Sequence, residues 1–143
     1  MEALMELNFS KYSENMLDIL KIFQQIGWNI YNYQGKIKYL PIGDNDDYDW
    51  QCEEISEIEL YDIISEKVAK KEQVGVSLYD QNGAEGIDFI ANATDQIILS
   101  IDINRKTVYG KHTNMIWYIE NIIYRLFDAG VRLVSYGVKE YED

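Results

Sequence analysis

The chain has 143 residues, of which 47% are hydrophobic and one is proline, and it carries a formal net charge of −12. A chain of this length can bury roughly 70% of the surface it exposes when unfolded, so one domain with one core is expected over residues 1–143, and a disordered chain is excluded. The charge opposes direct binding to nucleic-acid phosphates and to anionic membranes, so a partner selected by electrostatics must be basic.

The opening MEALMELNFS has Glu2 and Glu6 where a secretory signal would have Lys or Arg, and no apolar run of signal or membrane-span length follows. A cytoplasmic protein is expected. The pattern assigns no element to residues 1–9. Tyr12, Met16, Ile19, Leu20, Phe23 and Ile26 recur at helical spacing, and Gly27 stands where a left-handed residue would end the helix, so a first helix is predicted from about Ser10 to Ile26. WNIYNY and KIKYLPI flank Gln34-Gly35 and predict two short strands, the second closed by Pro41.

After an acidic loop, Ser56 stands three residues before Glu59, a capping box that opens a second helix. Leu60, Tyr61, Ile64 and Val68 form its predicted buried stripe, and it ends near Lys71. QVGVSLYD, GIDFIAN and DQIILSIDIN follow as an antiparallel meander, with Asn82-Gly83 as the first turn. A third helix is predicted from about Thr113, burying Ile116, Ile119, Ile123 and Leu126 before Gly130, and VRLVSYGV supplies a last strand. The predicted order is αββαβββαβ, an α+β fold with helices packed on a largely antiparallel sheet. The pattern leaves the strand order open.

Few motifs carry chemistry. His112 is the only histidine, which excludes multi-histidine metal sites and makes any Ser-His-Asp or Cys-His arrangement depend on this one residue. A polar loop histidine is the expected reading. The chemical alternative is a small enzyme whose pocket joins His112 to Asp88 or Asp102. Cys52 is single and lies beside Glu53 and Glu54, which disfavour a thiolate. Nucleotide cradles and the hydrolase elbow have no matching motif. An EF-hand counted from Asp44 would need Gly sixth and Glu twelfth, where this chain has Asp49 and Ile55. No cofactor and no metal are expected.

The charge is unevenly placed. From Tyr39 to Glu66 there are ten acids, Asp44, Asp46, Asp47, Asp49, Glu53, Glu54, Glu57, Glu59, Asp62 and Glu66, and no Lys or Arg. Glu59, Asp62 and Glu66 share one helix face, and the like-charged pair Asp62 and Glu66 would destabilise an isolated helix by roughly 0.2–0.5 kcal/mol. Glu53, Glu54 and Glu57 offset part of that at the helix N-terminus. Tyr48 and Trp50 add apolar area, and Tyr61 is expected to point inward. The segment therefore reads as a partner-binding surface. Asp46, Asp47, Asp49 and Glu53 supply charge, Trp50 an anchor, and Asp44, Tyr48, Glu54, Glu57, Glu59 and Asp62 the remaining contacts.

A small, single-domain, acidic α+β chain with an aromatic-studded acidic surface resembles the immunity proteins of bacterial polymorphic toxin systems, including contact-dependent growth inhibition. The resemblance lies in size, charge and architecture. It implies a cytosolic protein without enzymatic activity that binds one cognate toxin domain, frequently a nuclease with a basic active site, and sets carboxylates where substrate phosphates would lie. Two other readings stand beside it: an acidic nucleic-acid mimic that inhibits a DNA-binding protein through the same charges, and the small enzyme built around His112.

Overall fold

In the computed structural model, which describes residues 1–142, the first element is a strand that the sequence pattern does not mark. Ala3, Met5, Leu7 and Phe9 of β1 (Glu2–Phe9) alternate into the core, while Leu4, Glu6 and Asn8 turn to the other face. Helix α1 (Met16–Gln25) starts later than predicted because Asn15 caps it, its side chain accepting from the Leu17 N–H. Tyr12 therefore lies outside the helix and is exposed. The predicted stop at Gly27 is observed, with φ of +110°.

The segments around Gln34-Gly35 form less strand than predicted. WNIYNY contributes two isolated bridges, Asn29 with Tyr79 and Tyr31 with Ile37, and KIKYLPI contributes β2 (Ile37–Tyr39). β3 (Gln51–Glu53) lies within the segment read as an acidic loop and pairs with β2. Helix α2 (Glu57–Ala69) begins at the predicted cap, the Glu59 N–H donating to Ser56 Oγ at 3.1 Å. Leu60 and Ile64 are buried as predicted. The third inward position is Lys67 and not Val68, which is exposed.

The meander is observed as β4 (Val74–Tyr79), β5 (Gly86–Ala91) and β6 (Gln96–Ile103). A small hairpin of β7 (Thr107–Val108) and β8 (His112–Thr113) follows. The third helix is interrupted: α3 (Met115–Tyr118), a π turn (Ile119–Ile123) and α4 (Tyr124–Asp128). Within the π turn the Asn121 carbonyl accepts the Trp28 indole N–H at 3.1 Å, and Arg125 bonds both Asn121 and the Ile26 carbonyl. A π turn leaves such a carbonyl free for an outside donor. Ile116, predicted to be buried, is exposed at the start of this helix, and Ile119 is half-buried.

With β9 (Leu133–Tyr141) the main sheet runs β3-β2-β4-β5-β6-β1-β9, every pair antiparallel. The fold is α+β, as the sequence predicts, although β1, β3 and the small hairpin extend the predicted order. Buried side chains of all the helices join those of one sheet face, including Phe23, Leu60, Ile64, Phe89, Leu99 and Ile122, in a single core. Among the described residues every buried apolar side chain of a helix belongs to that core, and the other sheet face has no helix packed on it.

Gly75 in β4 lies on that second face. A Cβ there would fall 2.5 Å from Leu40 Cδ1 and 3.0 Å from Trp50 Cη2. Gly75→Ala is expected to destabilise the protein by about 1–3 kcal/mol through overpacking, measured by urea denaturation.

Candidate functional site

The acidic segment is a built loop, held from beneath. Asp44, counted from sequence among the contact residues, is only 4% exposed. Its carboxylate accepts from the backbone N–H groups of Asp47 at 2.9 Å, Tyr48 at 3.2 Å and Asp49 at 2.7 Å. Those bonds fold residues 44–49 around the side chain and hold Asp46 and Tyr48 at φ of +91° and +55°. Side chains other than Gly rarely adopt such angles unless the surroundings fix them.

Lys67 fixes the loop from below. Its side chain is fully buried, and Nζ donates to the carbonyls of Pro41 and Asp44, each at 2.7 Å. Glu72 Oε1 stands 3.6 Å from Nζ and accepts the Gly43 N–H at 2.8 Å. Asn45 accepts the Gln73 N–H at 3.0 Å. Burial lowers the Lys67 pKa from its usual 10.5, opposed by the charges of Glu72 and Asp44. The segment has no base of its own, but the base immediately after it is spent on the loop backbone and not on the exposed carboxylates.

With Asp44 removed from the surface, Asp46, Asp47, Asp49, Glu53, Glu54, Glu57, Glu59 and Asp62 remain exposed, from the loop through β3 to the outer face of α2. Among the described residues none of these eight forms an ion pair, whereas Glu66 is 3.3 Å from Lys70. Glu53 and Glu57 accept from the Tyr39 hydroxyl and from Gln24. Both are neutral donors, so they leave the charge in place. The eight therefore form one uncompensated negative surface along a sheet edge.

The two aromatics differ from the sequence reading. Trp50 is half-buried, with Lys38 Nζ 4.9 Å from its ring centroid and its edge against Gly75. This cation–π contact fixes the ring on the sheet, so Trp50 is a packed side chain with one accessible edge. Tyr48 is the exposed aromatic of the loop, its hydroxyl accepting from Gln73 Nε2 at 3.4 Å. Tyr61 is half-buried and donates to Gln24 Oε1 at 2.8 Å.

A second polar group lies on the helix-free sheet face. Asp88 is buried there, accepting from Ser77 Oγ at 2.5 Å with Lys38 Nζ 3.8 Å away. Asp102 lies on the same face, and desolvation together with the neighbouring Asp88 carboxylate raises its pKa to about 7. The folded state thus binds a proton that the unfolded chain releases near pH 3.8, and stability falls as pH rises from about 4 to 7. Asp102→Asn is expected to flatten that fall and to stabilise the protein at pH 8. The gain should be about 1 kcal/mol, because solvent screens the exposed residue, and thermal melts across pH would measure it.

His112 joins neither Asp88 nor Asp102. Its Nδ1 is 2.8 Å from Glu140 Oε2, and the other Glu140 oxygen accepts the Thr113 N–H and lies 3.7 Å from Arg105. His112 first, and then the Thr113 N–H, lower the Glu140 pKa to about 2. His112 thus ties the small hairpin to β9. Cys52 is exposed on β3, with Asn32 Nδ2 3.8 Å from its sulfur.

Among the described residues no cluster of three or more His, Cys, Asp or Glu side chains could hold a metal ion, and no helix is long and apolar enough to cross a membrane. Comparison with protein-family models, with curated proteins and with solved structures gives no match for this chain.

Proposed function

We propose that this protein is an inhibitor of the immunity class, acting in the cytoplasm, which binds and neutralises a basic, nuclease-type toxin domain and performs no catalysis itself. The observation that carries this reading is the eight-carboxylate surface, of which Asp46, Asp47 and Asp49 stand on a loop that Asp44 and Lys67 hold in one conformation. A solvated loop kept only for solubility would not require a buried lysine, three backbone bonds to one carboxylate and two non-glycine residues at positive φ. Fixing the carboxylates before encounter reduces the ordering cost of binding, and their mutual repulsion is relieved when a basic cleft neutralises them.

The charge steers association, while Tyr48 and the accessible edge of Trp50 supply apolar contact. Confinement to one sheet edge favours a compact active-site cleft over a duplex-binding groove, whose mimic would spread its charges along much of the molecule. The test is co-expression with the product of the gene immediately upstream, followed by purification at low and high salt. A salt-sensitive complex with a basic toxic domain, and rescue of cell growth, is the expected result. Absence of both complex and rescue would remove the reading.

A further inference from the structure

One buried polar atom beneath the acidic loop has no partner. Gln73 is 7% exposed, and its Oε1 lies out of contact with solvent and accepts no hydrogen bond among the described residues. No other buried side-chain nitrogen or oxygen among those residues is left in this state. An acceptor unpaired in the interior costs the fold the hydration it gave up, so native structures seldom keep one without a use.

The rest of Gln73 is tied to the loop. Its backbone N–H donates to Asn45 Oδ1 at 3.0 Å, and its side-chain nitrogen donates to the Tyr48 hydroxyl at 3.4 Å. The unpaired carbonyl therefore lies under the turn that carries Asp46 and Asp47, both exposed. Tyr48 is the part of this arrangement that can move. Its backbone is pinned, with the N–H bonded to Asp44 at 3.2 Å and φ held at +55°, but its side chain is exposed and its hydroxyl bond is long. Rotation of the ring gives up only that hydrogen bond and opens a way to the amide.

On the inhibitor reading proposed above, we infer that Gln73 Oε1 is the acceptor for one arginine of the partner, which enters beside Asp46 and Asp47 as the Tyr48 ring turns aside. The carbonyl calls for a donor, and the carboxylates next to it call for positive charge. Among the described residues no cluster of His, Cys, Asp or Glu could hold a metal ion, so the cation that fits is organic. A guanidinium sheds water more readily than an ammonium, and its planar fork of donors serves an amide oxygen and a carboxylate at once. The displaced Tyr48 ring can lie against its face. The exposed charge draws the partner in, and Gln73 selects the side chain that is bound.

Titration of the intact protein with argininamide, followed at the Gln73 side-chain amide and the Tyr48 ring by NMR, tests this without the toxin. The expected result is saturable binding in about the millimolar range that shifts both sets of signals, with lysinamide, of equal charge, several-fold weaker. Gln73→Met deletes the unpaired acceptor at similar length, so it should raise the melting temperature by about 3 °C while abolishing argininamide binding. A glutamine that served only the loop would do the reverse, and its loss would lower the melting temperature. In the complex with the toxin domain, the same variant should lose about 10-fold or more in affinity. Unmoved Gln73 and Tyr48 signals, equal shifts with lysinamide, a lowered melting temperature, or parent-like binding by Gln73→Met would each overturn the inference. Whether a complex with the upstream product forms at all is read separately in the co-expression test, so the arginine site can fail while the inhibitor reading stands.

Discussion

Lys67→Met should lower the stability of the protein by about 3 kcal/mol, although it exchanges one long side chain for another of similar volume. The loss comes from what the ammonium leaves behind. The carbonyls of Pro41 and Asp44 lose a donor at 2.7 Å each, and Glu72 loses its cation. The chain can rehydrate those groups only by releasing residues 41–49, so the same substitution should make that loop a preferred site of limited proteolysis. The pH dependence has a definite sign. Because burial lowers the folded pKa of Lys67, the unfolded chain holds that proton more tightly, and stability contributed by this site rises with pH from the lowered value up to 10.5. The Met variant should lack that rise in denaturant melts.

Reversing Asp46, Asp47 and Asp49 to Lys should weaken binding to a basic partner by about 100-fold or more, through a slower association rate that no longer depends steeply on salt. The three side chains are exposed and form no ion pairs among the described residues, so folding stability should change by no more than about 1 kcal/mol, most of it at Asp46, where Lys tolerates the φ of +91° less well than Asp. Reversal of Glu120 and Asp128, exposed acids on the third helix, is the matched control and should leave binding intact. Surface plasmon resonance at two salt concentrations separates the cases. If the triple variant binds like the parent, the 46–62 surface is not the interface.

Much of the frame was legible because local chemistry and tertiary packing agree there. Ser56 with Glu59, Gly27 at the end of α1, and the alternation of the meander each specify one local answer that the fold uses. β1 escaped because Met, Leu, Ala and Glu are helix formers and Leu4 breaks the polar alternation, so its strand state comes from lying between β6 and β9. β3 escaped because three residues in an acidic tract carry no strand signal, and β2 imposes the pairing.

The site was legible as a surface but not as a construction. Nothing local separates Asp44 from its five acidic neighbours. Its burial depends on donors that exist only once the loop has turned around it. Lys67 follows Leu60 and Ile64 on the inward stripe, where helical periodicity alone expects an apolar residue, and its acceptors come from 23 and 26 residues earlier.

The position of β1 also governs the order in which the sheet can be completed. It is the first strand in the chain, yet both of its neighbours come late. Glu6 bonds Gln96 across 90 residues, and Asn8 bonds Ser135 across 127. During synthesis β1 must wait, with Met5, Leu7 and Phe9 uncovered, until β6 and then β9 have emerged from the ribosome. Closing such long loops is slow, and an uncovered apolar strand is vulnerable to wrong pairing in the interval. β1 is therefore the strand of this sheet that depends most on being sheltered while its two partners are made.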